Sequence, residues 1–432
     1  MFALATLAAL FVGLASAAQN IKVGADRSLN LSAPANQVFS YIIRQEGATY
    51  IAPHFVDLDI PAGATLQISA LDGSQTVKYN GKQSDFYAEY VRGSEAVVSY
   101  FPPPTGITTD DINTESVAFT VDRYASGFPT PDSNIEAICG ADNTQAITCV
   151  KTSDPTKYQK AQAVARLLIG GNSLCTGWLF GSEGHLITNN HCIGNAATAK
   201  NVQFEFAAEC ATCSDPNNTK QLACPGVTVA TSAQFIYTSQ TLDFTLVKLN
   251  LKSGVSLSKY GYLQARESGP VLSEPIYIPQ HPGGKPTRLA TVLDSGKVGT
   301  VESLSIASCQ ADEIGYTLDT ENGASGSPVL STKDNAVVAL HNCGGCLNGA
   351  IKINKVVSQL KSLSFLPANA VTGSRVKSEI TKSEVVENDI VESKTDNCAS
   401  CFYPGAEACL TDFTKEDCES FATKYGTVWR GD

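Results

Sequence analysis

Fourteen cysteines divide this chain into three parts and limit what each part can be. None occurs before residue 139, ten lie between residues 132 and 367, and the last four are Cys398, Cys401, Cys409 and Cys418. An even number of cysteines behind an apolar leader is typical of disulfides formed in an oxidising compartment. Zinc is the alternative for the Cys-x-x-Cys pairs that begin at Cys210 and Cys398.

The chain opens with an apolar run from Phe2 that ends at Ala15-Ser16-Ala17, a pattern that signal peptidase cleaves. We therefore interpret residues 1–17 as a signal peptide and expect a secreted, extracellular protein with no membrane partner. No Lys or Arg precedes the apolar run, so a membrane anchor is the alternative, although an anchor needs about 20 apolar residues. Sequons at Asn30 and Asn217 predict a glycoprotein.

The cysteine-free residues 18–128 predict a small β-sandwich. Short alternating runs such as Thr65–Ser69 are separated by turn signals at Asp72-Gly73 and Asn80-Gly81. The sequence offers no chemical constellation in this part. We expect either a pro-domain, as in a zymogen, or an accessory domain.

The cysteine-rich residues 132–367 combine regularly spaced strand candidates with Gly, Pro and Asn, which is an all-β pattern. Residues 368–397 are rich in Lys, Glu and Ser and predict a charged linker. Residues 398–432 predict a disulfide-rich module, because so short a segment cannot hold a core unaided. Its aromatic residues are candidates for a carbohydrate- or protein-binding face, or else for packing on the disulfides: Tyr403, Tyr425 and Trp429.

Composition argues against one class of partner. The chain has 31 Lys and Arg against 42 Asp and Glu, a net charge of -11. No basic run of the length expected for binding a polyphosphate backbone occurs. We therefore expect no nucleic-acid partner.

A histidine that follows a strand is the first candidate catalytic residue. Residues 186–188 predict a strand that delivers His191 to a loop, and Cys192 follows at once. A disulfide between Cys175 and Cys192 would fix the approach of the imidazole. We expect this bridge, and we expect His191 to act as a general base.

An aspartate at the start of a strongly β-like run is the second candidate. Asp243 precedes Phe244-Thr245-Leu246-Val247 and lies between His191 and the serine described next. A carboxylate buried beside a histidine holds the ring in one tautomer and stabilises the imidazolium that forms in the transition state. Asp243 is therefore the candidate for that role.

The third candidate is a serine in a glycine-rich turn. Residues Asn322–Val329 read Asn-Gly-Ala-Ser-Gly-Ser-Pro-Val, so that Ser325 is presented as a nucleophile and the N–H groups of Gly323 and Ser325 can bind an oxyanion. A similar Gly-x-Ser-x-Gly turn occurs in α/β-hydrolases, where the histidine comes last in the chain. The order here is His, Asp, Ser, and the setting is all-β.

These segments resemble the trypsin-like superfamily of serine endopeptidases, particularly its glutamyl and lysyl endopeptidase branches. The resemblance covers roughly Cys139 to Val357. It implies two six-stranded β-barrels with the active site in the cleft between them. The expected fold is thus all-β: a double-barrel protease domain preceded by a small β-sandwich and followed by a cysteine-rich tail.

The resemblance also suggests a specificity pocket. Six residues before the nucleophile stands Asp319, where a buried carboxylate would pair with a substrate Lys or Arg. Thr320 and His341 match positions that hold an acidic side chain in glutamyl endopeptidases, although lysyl endopeptidases carry the same pair. Cleavage after Lys or Arg, or after Glu, therefore remains open. Asp319 bonded to His341 or capping a turn is the structural alternative.

Two cysteines and one missing motif qualify the resemblance. Cys139 and Cys149 are similar to the paired N-terminal cysteines of lysyl endopeptidases. Cys139 is expected to bond with Cys343 or Cys346, and Cys149 with one of Cys210, Cys213 and Cys224.

The activation motif of trypsin is missing. No Ile-Val-Gly-Gly start lies upstream, and Ala324 replaces the aspartate that binds the freed amino terminus in trypsin. Activation by that ion pair is excluded.

We expect an endopeptidase that acts on proteins or peptides without a cofactor or metal. Of the other histidines, His281 is expected to be structural, and His54 and His185 to be exposed. The alternative function is a catalytically silent relative that acts as an inhibitor, decoy or binding protein. Loss of a triad residue would mark such a relative, and all three residues are present.

Overall fold

The structure, a computed structural model, is built mainly of antiparallel strands. It describes residues 21–104, 116–129, 138, 140–373, 400–403, 408–410, 414–416, 418, 419, 422 and 428–430. Several expectations concern parts outside the described residues: the signal peptide at 1–17, the linker at 374–397, Cys139, Cys398 and Tyr425.

The described chain begins with a two-residue strand and then forms nine strands of an N-terminal module, by which we mean the described residues between 21 and 129. These strands are β1 (Ile21–Lys22), β2 (Gly24–Pro34), β3 (Phe39–Arg44), β4 (Tyr50–Ile60), β5 (Thr65–Ser69), β6 (Thr76–Tyr79), β7 (Gly81–Tyr87), β8 (Val91–Arg92), β9 (Glu95–Phe101) and β10 (Val117–Gly127). One sheet has the order β2-β10-β4-β7, with β8 beside β4, and the other has the order β3-β9-β5-β6.

Alternating side chains hold these two sheets together. In β9, Ala96, Val98 and Tyr100 are buried while their neighbours are partly exposed, as the two-residue period of a strand requires. One apolar cluster includes Leu66 from one sheet and Phe119 from the other. The N-terminal module is therefore the β-sandwich predicted from its turn signals.

The first barrel of the central domain is a closed ring of six strands. The domain begins with β11 (Gln145–Ala146), and the barrel then consists of β12 (Val164–Ile169), β13 (Ser173–Leu179), β14 (His185–Thr188), β15 (Val202–Phe206), β16 (Val227–Ser239) and β17 (Phe244–Leu251). Pairing runs β13-β12-β15-β16-β17-β14 and returns to β13. Every residue of β12 is buried, because Leu167 lies in the barrel core while Leu168 packs against the N-terminal module.

A second sheet of eight strands forms the other barrel. It adds β18 (Ile276–Gln280), β19 (Arg288–Ala290), β20 (Ser303–Ile306), β21 (Glu313–Tyr316), β22 (Pro328–Ser331), β23 (Val337–Cys343) and β24 (Asn348–Lys352). The order is β11-β19-β18-β22-β23-β24-β21-β20. Ile276 N donates to Gly299 O at 2.9 Å and Val301 N to Glu274 O at 3.0 Å, which closes the ring. This sheet has eight strands, whereas six were expected, because the short strands β11 and β19 extend it.

In the described part of the central domain, short α-helices lie outside the sheets at α1 (Pro155–Ala161), α2 (Ala196–Ala199) and α3 (Ile353–Ser362). Helix α3 contributes Ile353, Val356 and Leu360 to an apolar cluster that includes residues of both barrels. Among the described residues, no helix combines the length and the apolar character that crossing a bilayer requires. The predicted all-β class is confirmed.

The C-terminal module contains a small sheet and a disulfide. Its strands β25 (Cys401–Tyr403), β26 (Ala408–Leu410) and β27 (Val428–Trp429) pair in the order β26-β25-β27.

The last described residues before the C-terminal module pair with the central domain. Ala265 N donates to Ala370 O at 2.7 Å and Thr372 N donates to Ala265 O at 3.0 Å. Residues 370 and 372 are therefore bonded to the central domain.

Cysteines of the described residues are joined in disulfides. The bonds are Cys149–Cys213, Cys175–Cys192, Cys210–Cys224, Cys309–Cys343 and Cys401–Cys418. Cys210 and Cys213 are bonded to different partners, so the zinc alternative for this pair was wrong. Cys149 bonds to one of its three expected partners. Cys343 is bonded to Cys309, which rules out Cys343 as the partner of Cys139, and Cys346 is disulfide-bonded as well.

Candidate active site

Adjacent strands of the first barrel bring a histidine and an aspartate to one edge. Strand β14 pairs antiparallel with β17, with Thr188 opposite Thr245. The chain after Thr188 and the chain before Phe244 therefore meet at the same end of the barrel. His191 lies three residues beyond β14 and Asp243 one residue before β17.

Asp243 accepts two hydrogen bonds from His191. The ring Nδ1 donates to Oδ2 at 2.8 Å and the backbone N–H donates to Oδ1 at 3.0 Å. Asp243 is 3% exposed, so its carboxylate is shielded from water. With Nδ1 bonded to the carboxylate, the neutral ring carries its basic lone pair on Nε2.

Polar neighbours that sequence reasoning missed hold this pair in place. Asn189 Nδ2 donates to the carbonyl of Asp243 at 2.8 Å, and Asn190 Nδ2 donates to Thr238 Oγ1 at 2.7 Å. Thr245 Oγ1 in turn donates to the carbonyl of Ile193 at 2.7 Å. The only sequence signal was the unusual run of polar residues at the end of an apolar strand. These are positioning residues, since each acts through the loop that holds His191 or Asp243.

The serine loop is tied to the first barrel through Thr176. Thr176 N donates to Ser325 O at 2.8 Å, and Thr176 Oγ1 donates to Gly323 O at 2.8 Å. The preceding residue, Cys175, is bonded to Cys192, the neighbour of His191. This chain of links brings the loop of Ser325 to the edge that holds His191. Gly326 N also donates to His341 O at 2.8 Å, which ties the same loop to the second barrel.

Gly323 has a backbone that favours glycine. Its φ is 98°, and an added Cβ would lie 3.0 Å from the carbonyl oxygen of His281. The preceding carbonyl, that of Asn322, accepts a hydrogen bond from Gly283 N at 2.7 Å. Because a trans peptide points its N–H opposite to its C=O, the N–H of Gly323 points away from Gly283.

Two of the three expected pocket residues lie in a buried polar cluster of the second barrel. Thr320 Oγ1 donates to Asn348 Oδ1 at 3.1 Å. His341 Nδ1 lies 2.6 Å from the hydroxyl of Tyr316. Burial raises the pKa of Tyr316, so this phenol stays protonated and donates to the ring. Burial, and then the charge of His191, lower the pKa of His341 to about 3, so His341 is neutral near pH 7.

Asp319, the third expected pocket residue, has a different partner. Its Oδ2 accepts a hydrogen bond from the backbone N–H of Asn143 at 2.8 Å. Burial raises the pKa of Asp319, the hydrogen bonds from Asn143 lower it, and the charges of Asp142 and Asp294 raise it further. The structural alternative had Asp319 bonded to His341 or capping a turn of its own segment. Its carboxylate is bonded instead to the distant Asn143.

The expectation for His281 agrees with the structure, whereas those for His54 and His185, which were expected to be exposed, do not. His281 is fully buried with Nδ1 3.0 Å from Lys285 O, and burial lowers its pKa to about 3, which fits a structural role. His54 is buried rather than exposed, because β4 lies inside its sheet, and its Nδ1 is 2.7 Å from Asp122 Oδ1. The His185 side chain is 12% exposed rather than solvent-facing.

A buried glutamate behind the site was also missed. Glu313 is 0% exposed, and its Oε1 accepts hydrogen bonds from Asn342 Nδ2 at 2.7 Å and from Gln310 N at 3.2 Å. Burial raises the pKa of this carboxyl to about 7, and the charge of Asp243 adds to the increase. No motif marks this residue in the sequence, since only tertiary burial makes it unusual.

One family model and several solved structures are similar to the central part of the chain. A family model described as a trypsin-like peptidase domain matches residues 175–340, which include His191, Asp243 and Ser325. Among solved structures, a crystal structure of Deg5 is 17% identical with a TM-score of 0.35, over 49% of this chain and 93% of that chain. The HtrA-type protease AlgW with tripeptide is 16% identical with a TM-score of 0.34, over 48% of this chain and 61% of that chain.

A longer match is to a protein of Plasmopara viticola named Secreted RxLR effector protein 73. The two sequences are 41% identical over 345 residues, which cover 77% of this chain and 84% of that protein. A match of this length extends well beyond the peptidase domain. The chain therefore belongs to the family of this effector protein, with a trypsin-like peptidase domain at its centre.

Proposed function

We propose that the protein is a secreted serine endopeptidase with Ser325 as nucleophile, His191 as base and acid, and Asp243 as the group that orients His191. The main support is the double hydrogen bond from His191 to Asp243, in a site whose serine loop is tied to the neighbouring strand. The disulfides, and a relative whose name describes it as secreted, support the extracellular location.

The chemistry follows from these positions. Nε2 of His191 takes the proton of Ser325 Oγ as Oγ bonds to the peptide carbonyl carbon, and the N–H groups of Gly323 and Ser325 stabilise the oxyanion. His191 then gives this proton to the leaving amine as the C–N bond breaks. Water, deprotonated by His191, hydrolyses the acyl-enzyme and restores the serine. The substrates are proteins or peptides.

The residue preference follows from which pocket group is available. Asp319 is 5% exposed and one of its oxygens already accepts a hydrogen bond from Asn143, which weakens the case for Lys or Arg at the cleavage site. Thr320, His341 and Asn348 form a buried cluster next to the serine loop. Because Tyr316 donates to Nδ1, neutral His341 carries its hydrogen on Nε2, a donor that suits a carboxylate acceptor and not the donor groups of Lys or Arg. We therefore propose cleavage after Glu rather than after Lys or Arg.

A silent relative is the second candidate, and one finding favours it: the matched relative is named as an effector rather than as a protease. Such a protein would bind its targets through the same cleft or through the flanking modules without cleaving them. Hydrolysis separates the two candidates. Purified secreted protein should degrade a denatured, disulfide-free protein substrate, and Ser325→Ala should remove this activity. Binding without cleavage by the wild type would support the silent relative.

A further inference from the structure

A cleft of about 660 Å³ opens beside His191, and its walls come from two modules. The peptidase domain contributes Asn190, His191 and Cys192. The N-terminal module contributes Lys22, Asp26 and Tyr87. A part of the chain that the sequence left as either a pro-domain or an accessory domain thus reaches the candidate catalytic histidine.

Main-chain bonding fixes the wall that contains Lys22. Strand β1 pairs with β13, with Ile21 opposite Leu174 and Lys22 opposite Ser173. Strand β13 also contains Cys175 and Thr176, the residues that link the histidine and serine loops. Lys22 is therefore held in register with the active-site strand by sheet hydrogen bonds.

Side chains add a second layer to this contact. Tyr50, Tyr87 and Tyr90 of the N-terminal module pack with Leu168 and Leu174 of the barrel in one apolar cluster. Tyr50 donates its hydroxyl hydrogen bond to Gly171 O at 2.7 Å, in the turn between β12 and β13.

Gln203 on β15 completes the contact. Its Nε2 donates to Ala88 O at 3.1 Å, and its Oε1 accepts from Tyr90 N at 3.3 Å. An interface with a buried apolar centre and satisfied polar groups is typical of modules that stay together. The N-terminal module is therefore a fixed wall of the cleft.

The charges on this wall are unequal. Asp26 accepts a hydrogen bond from the Tyr87 hydroxyl at 2.8 Å, and its carboxylate also lies 4.0 Å from Arg123 Nε. Lys22 instead donates to the amide oxygen of Asn172 at 2.9 Å, a neutral partner. In these contacts Asp26 has a positively charged neighbour, whereas Lys22 has no negatively charged one. Lys22 therefore presents its positive charge to the cleft.

The position of the cleft indicates which part of a substrate it meets. Its peptidase-domain residues belong to the first barrel, whereas Thr320 and His341 belong to the second barrel. In the proposed mechanism the second-barrel cluster receives the side chain on the acyl side of the scissile bond. The leaving amine takes its proton from His191, so the chain that follows it runs along His191 on the first-barrel side.

We propose that the N-terminal module is a permanent part of the active site, and that its wall of the cleft binds the peptide segment that follows the scissile bond. Lys22 favours an acidic side chain in that segment. This inference rests on the proposed endopeptidase activity. It replaces the expectation of a pro-domain that must be removed.

Acyl transfer measures this binding separately from hydrolysis. The full-length secreted protein is acylated with a peptide thioester that has no residue after the scissile bond, and dipeptide amides then compete with water for the acyl-enzyme. Gly-Glu-amide should be preferred over Gly-Lys-amide by about threefold to fivefold, the range expected for an exposed ion pair. Lys22→Glu should reverse the preference and Lys22→Gln should remove it, and the ratio of the two aminolysis products measures the preference whatever the rate of hydrolysis. Lys82→Glu, at an exposed lysine paired with Asp59 and outside the cleft, should leave it unchanged.

The outcomes separate the two proposals. Normal thioester hydrolysis with a preference that ignores Lys22 would overturn the inference and leave the endopeptidase in place. An active secreted form whose sequence starts after residue 129 would also overturn it. No thioester hydrolysis by the full-length protein would contradict the proposed function, and the inference with it.

Discussion

The carboxylate of Asp319 accepts a hydrogen bond from the backbone N–H of Asn143, 176 residues earlier in the chain, at 2.8 Å. This bond fastens the first segment of the central domain to the residue that in a trypsin-like pocket would meet a substrate Lys or Arg. Asp142 and Asp294 lie nearby and help to raise the pKa of Asp319. Asp319 therefore has a structural partner in the folded protein.

Residue preference should accordingly depend on Thr320 and not on Asp319. Peptides that differ only at the cleaved residue should be hydrolysed after Glu in preference to Lys. Thr320→Val should lower kcat/KM for the Glu peptide by about tenfold or more, because the hydroxyl that donates to Asn348 in the free protein would turn to the charged substrate carboxylate. Asp319→Ser should leave the Glu-to-Lys ratio unchanged. Preferred cleavage after Lys that is lost in Asp319→Ser would place Asp319 in the pocket.

Two glycines with positive φ form a matched pair for the oxyanion site. An added Cβ at Gly323 would meet the His281 carbonyl at 3.0 Å, whereas one at Gly296, with φ 74°, would meet no atom within 4 Å. Gly323→Ala should lower kcat by about two orders of magnitude, the effect of losing one oxyanion donor. Gly296→Ala should cost only about 1 to 2 kcal/mol of stability through its backbone. Equal kcat values for the two variants would separate Gly323 from catalysis.

His191 and His54 each bond through Nδ1 to an aspartate, and of these two histidines His191 is the one beside the serine loop. Asp243→Asn should lower kcat by about four orders of magnitude, because an amide favours the wrong tautomer of His191. Asp122→Asn changes the same bond to His54 inside the β-sandwich and should leave kcat for a short peptide intact. Steady-state kinetics of both variants, with folding checked by circular dichroism, makes the comparison. An active Asp243→Asn enzyme would remove Asp243 from the site.

Glu313 should make stability fall as pH rises. Its folded-state pKa of about 7 lies above the ordinary value of 4.5, so the folded state holds its proton more tightly. The stabilisation is complete below pH 4.5 and is lost as pH rises through 7. Glu313→Gln removes this titration, so its stability relative to the wild type should increase by about 2 kcal/mol between pH 5 and pH 8.

Denaturant unfolding at the two pH values measures this change. Glu267→Gln, at an exposed glutamate paired with Lys361, is the matched control and should show no such increase. The same increase in both variants would mean that the burial of Glu313 has no special effect on its protonation.

The order of the site residues was readable from the sequence because each lies beside a predictable strand or turn. His191 follows an apolar run, Asp243 precedes one, and Ser325 sits among glycines. The all-β class followed from the regularly spaced strand candidates, and the barrels from the resemblance. Each of these patterns lies within a short stretch of chain, so a single sequence is enough to detect it.

Contacts between distant segments were not readable in the same way. Whether Asp319 faces a substrate or Asn143, and whether His54 is exposed or bonded to Asp122, depends on which segments pack together. The pairing of Lys22 with Ser173 joins a two-residue strand to a barrel about 150 residues later, and so short a strand has no periodicity to detect.

The reactivity of Ser325 tests the account most directly. A serine attacks a fluorophosphonate quickly only when a neighbouring base activates it, so the purified secreted protein should be labelled at one peptide that contains Ser325. Ser325→Ala should lose the label while it keeps its fold, and Asp243→Asn should be labelled far more slowly. A folded, secreted wild-type protein that stays unlabelled, or that is labelled at another serine, would contradict the account.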